Sequence, residues 1–247
     1  MKIAICVSGT TKNHQNSLAS IEKFFAGHNV DVFIHTYDNS DPKKLIEDCW
    51  SKNTAYNYYK DLKLTTKEIV ELYNPKLHII DSYNETSKTF EKNLSTILIE
   101  GVKAYDQANT TPSCISMHYS IRCADVLRQI YEQNHKIKYD CVVRMRFDSE
   151  IVRMDDLSSY DLNKINIPVK RDWEGGINDQ FAFGHPDKIA TYSNLYPMIV
   201  FFAKLVGIYH PETIFKKYLE TVDLFDQIVR PDILVEIASD VDYSEHR

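Results

Sequence analysis

The chain has 247 residues, 43% of them hydrophobic and 12% aromatic, and a formal net charge of −6. This excludes a disordered chain and argues against a general nucleic-acid binder, which carries a basic stripe; it suits one α/β domain with a full core. Five scattered cysteines (Cys6, Cys49, Cys114, Cys123 and Cys141) without a C-x-x-C pair argue against a zinc site or disulfide scaffold and for a reducing compartment.

In chain order, "KIAICVSG" is a short buried strand closed by a Ser-Gly turn. Its apolar run is too short for a secretory leader, so the expectation is a soluble, cytoplasmic protein. The sequons at Asn84, Asn93 and Asn109 then read as chance matches. A helix from about Gln15 to Phe25 carries Leu18, Ile21, Phe24 and Phe25 at helical spacing. Strands follow at 30–37 ("VDVFIHTY") and 76–83 ("KLHIIDSY"). Residues 42–73 between them read as helical and irregular, with Tyr56, Tyr58 and Tyr59 clustered. Residues 117–133 form a helix with Ile121, Ala124, Val126, Leu127 and Ile130 inward. It leads directly into "CVVRMRFDSEI", residues 141–151.

Strand–helix alternation over this part predicts βαβ units and a largely parallel sheet. Beyond it the pattern changes. "KINIPV" and "DQFAFG" are short strands, the second read as antiparallel; helical segments follow around 186–207 and 211–220, then "DILVEIA". "YPMIVFFAKLVGIYHP" is about half of a ~20-residue membrane span and contains Lys204, so it reads as a core helix. It could also serve as a dimer face. No repeat or linker divides 1–247, which is taken as a single domain.

The stretch 141–151 is unusual. As one strand it places Cys141, Val143, Met145 and Phe147 on one face and Arg144, Arg146, Asp148 and Glu150 on the other. Ligands of open α/β sheets sit outside the carboxyl ends of strands. Asp148-x-Glu150 could present oxygens to Mn²⁺ or Mg²⁺, with Arg144 and Arg146 neutralising the carboxylates or reaching phosphate. A solvated edge-strand charge ladder explains the same spacing. A second motif, "WEGGINDQFAFGHPDKI" (173–189), tilts the balance: Gly175-Gly176 allows positive φ, and Asn178-Asp179 stands at a strand mouth. An Asx turn opening a hairpin strand is its plain alternative.

"KIAICVSGT", "DVFIHTY", "YSIRCADVL", "YDCVVRMRFDSEI" and "NDQFAFGHPDKIATYSNLY", in that order, resemble a GT-A-type glycosyltransferase-like family of bacteria, phages and large viruses. The resemblance spans about residues 1–220. It implies a Rossmann-type, mostly parallel sheet with a short antiparallel addition in the C-terminal half. Residues 1–150 would form the nucleotide-binding half, and 151–247 the donor-sugar and acceptor half. Ser8, Gly9 and Thr10 would line the nucleoside pocket, Thr36, Tyr37 and Asp38 would flank base or ribose, and Arg122 would point to the nucleotide. Asp148 and Glu150 take the place of a D-x-D metal motif, departing from it in the final Glu. His210, with His185 second, would be an extra metal ligand.

The implied reaction moves a sugar from a nucleoside diphosphate, UDP by default, to a carbohydrate or other hydroxyl acceptor. A metal at Asp148 would stabilise the leaving diphosphate. Asp179, beside Asn178, would hold donor hydroxyls or deprotonate the acceptor. Two rivals remain. One is another nucleotide-binding enzyme such as a nucleotidyltransferase, although G-x-G-x-x-G and G-x-x-x-x-G-K-[ST] are both missing. The other is an inactive carbohydrate-binding or assembly protein, to which 16 tyrosines would be suited.

Overall fold

The computed structural model describes residues 1–49, 52–105 and 110–237, so the sequon at Asn109 lies outside the described residues. At its centre is β1 (Lys2–Ser8), buried from Ile3 to Ser8 because neighbours cover both of its faces. The chain passes through α1 (His14–Phe24) to β2 (Asn29–Tyr37). It continues through α2 (Lys43–Asp48), α3 (Lys52–Asp61) and α4 (Thr66–Leu72) to β3 (Leu77–Asp81). α4 begins where Thr65 and Glu68 form a reciprocal capping box. These strands pair in parallel, Ile3 opposite Val30 and Phe33 opposite Leu77.

α5 (Tyr83–Ile99), β4 (Lys103–Ala104) and α6 (Ser113–His135) then carry the chain across to the other side of β1. There β5 (Cys141–Arg146) pairs in parallel with it, Ile3 opposite Cys141. Strand order therefore reverses between β1 and β5. A crevice outside the carboxyl ends of strands at such a reversal is where open α/β sheets bind ligands.

The remaining strands are β6 (Ser149–Arg153), β7 (Ile165–Asn166), β8 (Ala182–Gly184), β9 (Ile208–Tyr209), β10 (Ile228–Val229) and β11 (Leu234–Ile237). Among them lie α7 (Pro186–Tyr192), α8 (Ile199–Val206) and α9 (Pro211–Thr221). β8 is antiparallel to both β5 and β7, and the main sheet runs β10-β7-β8-β5-β1-β2-β3. β6 pairs antiparallel with β11. The fold is thus mixed α/β around a seven-stranded, mostly parallel sheet, with the antiparallel addition in its C-terminal half.

Alternation along the strands sends Ala4, Cys6, Phe33, Val142 and Ala182 into a core beneath α5–α9. Ile3, Ile5, Val32, Val143 and Met145 face the opposite core, under α1 and α4. Each fully buried Ile, Val or Phe side chain contributes roughly 1.5–3 kcal/mol.

Three expectations shift. α1 buries His14, Ser17 and Ser20, while Leu18, Ile21 and Phe24 are only partly covered. The serines are needed there: Ser20 Oγ accepts from the Ile151 N–H (2.8 Å), and Ser17 Oγ bonds the Tyr73 hydroxyl (2.7 Å). α6 is longer than predicted, and Ile130 is exposed while Asp125 and Arg128 are buried. Arg128 Nε donates to Asp125 Oδ1 (2.7 Å) and Nη1 to Glu132, so the buried charges are paired. Finally, Pro186–Val206 is long and apolar enough by composition to cross a membrane, but it is divided between α7 and α8 by a 3-10 turn at Tyr196–Met198.

Candidate functional site

The site is built at the strand reversal, from the ends of β1 and β5 and the loop before β8. β1 ends at Ser8, and Gly9 follows at φ +109°, a conformation rarely open to residues with a Cβ. The Gly9 N–H is shared between the His35 carbonyl (3.2 Å) and Ser120 Oγ (2.8 Å), which fixes the turn. Thr11 and Lys12 are thereby directed inward, and Lys12 is only 4% exposed. The Tyr58 hydroxyl of α3 closes over this loop, donating to the Thr11 carbonyl (2.7 Å).

The alternation read from residues 141–151 holds as far as Phe147, which joins Cys141, Val143 and Met145 in one core. Then it breaks. β5 stops at Arg146, Phe147 and Asp148 form a turn, and β6 begins at Ser149, whose Oγ accepts from the Arg146 N–H (3.3 Å). The turn parts Asp148 from Glu150. Asp148 is buried; Glu150 is exposed on β6, opposite Glu236 of β11. Four charges in one continuous row is the expectation the structure corrects.

Arg146 holds Asp148 with both arms of its guanidinium, Nε to Oδ1 (2.7 Å) and Nη2 to Oδ2 (2.8 Å). The Lys12 ammonium stands 3.7 Å from Oδ2. Burial pushes the Asp148 carboxyl upward, but Arg146 and Lys12 more than offset this and hold it below its ordinary value. Arg171 is also within electrostatic range: burial lowers its pKa, with the Arg146 charge adding to the effect and Glu236, then Asp148, opposing it.

Behind this pair lies a second buried group. Arg144 Nη1 donates to the Gln180 carbonyl, whereas Nε and Nη2 have no partner. Asp179 Oδ2 and Glu212 Oε2 also accept no hydrogen bond, although His210 Nε2 stands 3.5 Å from the latter. Burial raises the Asp179 pKa, against the pull of Arg144 and Arg146. Glu212 is pushed up to about 8, by burial first and then by Asp179. Lys12, Arg144 and Arg146 thus lie among one carboxylate held below its ordinary pKa, Asp148, and two carboxyls raised by burial, Asp179 and Glu212.

The loop before β8 places Asp179. Gly175 adopts φ +69°, and Gly176 meets α9 so closely that a Cβ would lie 2.4 Å from the Glu212 carbonyl carbon. The Ile177 N–H donates to that residue's carbonyl (3.2 Å). Asn178 is fully occupied in shaping the loop: Nδ2 donates to the Lys170 carbonyl (2.9 Å), and Oδ1 accepts from the Gln180 N–H (2.8 Å).

The other predicted residues divide. Ser8 is buried with Oγ unpartnered, and Thr10 is half-buried beside it. Thr36 and Tyr37 are fully covered; the Tyr37 hydroxyl donates to the Ser116 carbonyl (3.0 Å), which makes it a core residue rather than an open binding face. Asp38 lies at the end of β2, where its N–H bonds the Asp81 carbonyl (2.8 Å). Arg122 Nε donates to Asn194 Oδ1 (2.9 Å), a contact with the segment after α7 rather than with the strand ends.

As placed, the donor set does not fit a divalent metal. Both Asp148 oxygens are held by Arg146, and Glu150 is on another element. His210 is engaged with Thr213 Oγ1 (2.9 Å) and Glu212 (3.5 Å). His185 caps α7, accepting from the Asp187 N–H (3.3 Å). Among the described residues no group of three or more His, Cys, Asp or Glu could hold a metal ion.

The sequence reading missed Lys12, Arg171 and Glu212. Lys12 had a signal, a cation in the first strand-to-helix loop. Glu212, in the first turn of α9 just after Pro211, reads only as an ordinary helix start. Compared with known proteins, the sequence matches no protein-family model and no curated protein.

Proposed function

We propose that this chain is a glycosyltransferase that takes a sugar from a nucleoside diphosphate donor, a UDP-hexose by default, and passes it to a hydroxyl acceptor. One observation carries the reading: cations gathered at the strand reversal stand in front of buried polar atoms that have no protein partner. The cations suit a diphosphate. Asp179 Oδ2 and Arg144 Nε and Nη2 offer acceptor and donors that sugar hydroxyls can complete.

In the reaction the bond from the anomeric carbon to the diphosphate breaks, and a bond to the acceptor oxygen forms. The leaving group's growing charge is met by Arg146 and Lys12, already in place before the reaction. Asp179 takes the acceptor proton; burial has raised its pKa toward the range in which a carboxylate is an effective base. Asp179 is only 2% exposed, so donor entry requires a shift of the loop that leads to it, residues 171–178. Positive φ at Arg171 (72°) and Glu174 (49°) marks that loop as backbone held in a sparsely populated form.

The test is nucleoside diphosphate release from a panel of nucleotide sugars with Mn²⁺ present, comparing wild type with Asp179→Asn. Release from one donor, lowered about 10²–10⁴-fold in the variant with donor affinity retained, supports the reading. No release from any donor overturns it.

A further inference from the structure

His35, in β2, is fully buried, and both of its ring nitrogens are hydrogen-bonded. Nε2 stands 3.1 Å from Asp81 Oδ2, which also accepts from the Tyr119 hydroxyl (2.8 Å). The bond from His35, and after it that from Tyr119, holds the Asp81 carboxyl below its ordinary pKa against the effect of burial. Asp81 is therefore an acceptor only, and Nε2 carries a hydrogen. Nδ1 stands 2.7 Å from Ser120 Oγ. With the ring neutral, Nδ1 is a bare acceptor and takes the Ser120 hydroxyl hydrogen. With the ring charged, Nδ1 donates instead, and the hydroxyl hydrogen turns to its other acceptor, the His35 carbonyl at 3.3 Å. That carbonyl and Ser120 Oγ are the two atoms that share the Gly9 N–H, at 3.2 and 2.8 Å. Neither charge state leaves the ring or the hydroxyl unpaired, but each divides the bonds at Gly9 differently.

We infer that His35 is a proton-sensitive switch for the β1–α1 turn: a proton gained at Nδ1 redirects the Ser120 hydroxyl to the His35 carbonyl and so weakens that carbonyl's hold on Gly9. This turn brings Lys12 to 3.7 Å from Asp148, so the charge on the ring reaches the candidate site through Gly9. Protons have a route to the ring, because the Asp81 side chain is partly exposed while that of His35 is not. The charged group facing the ring is Asp81 on β3. On β1 the register partner of His35 is Ser8, which is uncharged. The other titratable neighbours are Tyr37 on β2 and Tyr119 on α6, whose rings meet it edge-on at 5.3 and 5.2 Å, and Cys123, one turn beyond Tyr119. Burial pushes the pKa of each of these three upward, so they stay neutral over the range, about pH 5 to 8, in which a histidine changes charge. The inference rests on these hydrogen bonds and not on the transferase reading.

The experiment is an NMR titration of the full, isotopically labelled chain from about pH 5 to 8, following the His35 ring nitrogens and the Gly9 amide. The neutral ring is expected to carry its hydrogen on Nε2, and the Gly9 amide signal to move with the same midpoint as the ring. In Ser120→Ala the ring should still titrate, and Gly9 should no longer follow it. A ring that does not titrate in this range overturns the inference. So does a neutral ring with its hydrogen on Nδ1, or a Gly9 amide that stays still while the ring titrates. Each of these is read on wild type, so a Ser120→Ala protein that fails to fold leaves the test intact. A folded Ser120→Ala protein in which Gly9 still follows the ring also overturns it, because the coupling would then bypass the hydroxyl.

Discussion

Arg146 and Asp148, two residues apart across a strand end, face each other through two parallel hydrogen bonds of 2.7 and 2.8 Å. The geometry exists because β5 stops between them and the turn brings the carboxylate back to the guanidinium. It also makes Asp148 a stabilising charge. Its folded pKa lies below the ordinary 3.8, so its contribution is present above that value and is lost as pH falls through the folded value. Asp148→Asn should cost about 3 kcal/mol at neutral pH, the lower range for breaking a buried pair. Its melting temperature should vary less with pH below about 4 than that of wild type. Thermal melts from pH 2 to 7 measure this, and an unchanged acid profile would count against the pairing.

Glu150 provides the contrast. Exposed on β6 and opposite Glu236, it makes a like-charge cross-strand pair. Glu150→Ala should therefore leave stability within about 0.5 kcal/mol and nucleotide-sugar turnover within about twofold. A loss of turnover comparable to that of Asp179→Asn would restore Glu150 to the site, and the D-x-D reading with it.

These two residues show what the sequence could convey. Period-two alternation was legible as far as Phe147, because each apolar residue of 141–147 reports the face it buries. The turn at Phe147–Asp148 was not legible. It contains neither glycine nor proline, and its fixed points are a Ser149 hydroxyl and a salt bridge, which no periodicity encodes. The antiparallel β8 was readable from "DQFAFG" and its terminal glycine. The inward face of α1 was not, since three polar residues occupy it and their partners come from β6, Tyr58 and Tyr73. Glu212 was hidden for a related reason. It meets Asp179 only through a loop-to-helix approach decided by tertiary packing.

That approach depends on Gly176. A Cβ there would stand 2.4 Å from the Glu212 carbonyl carbon and 2.6 Å from its Cβ, both too near for relaxation of one side chain to relieve. Gly176→Ala should destabilise the fold by about 1–3 kcal/mol, the range for overpacking, and should displace Asp179 along with the loop. Denaturant unfolding and turnover should fall together. A variant with wild-type stability would mean that loop and helix are further apart than described.

Glu212 supplies a pH signature of opposite sign to that of Asp148. Its carboxyl is pushed from 4.5 up to about 8 by burial and by Asp179, so the folded protein holds a proton that the unfolded chain releases. Stability from this group is complete below about pH 4.5 and declines as pH rises through 8. Glu212→Gln keeps the neutral form's shape and cannot ionise. Between pH 5 and 8 the variant should lose less stability than wild type, and the gap between the two melting curves should widen steadily in the variant's favour. Asp179→Asn should make the same decline smaller and end it at a lower pH, because removing that carboxylate lowers the folded Glu212 pKa toward its ordinary value. Parallel melting profiles for wild type and Glu212→Gln across that range would show that Glu212 is ionised and compensated in the folded protein, and that the two carboxyls do not share one buried space.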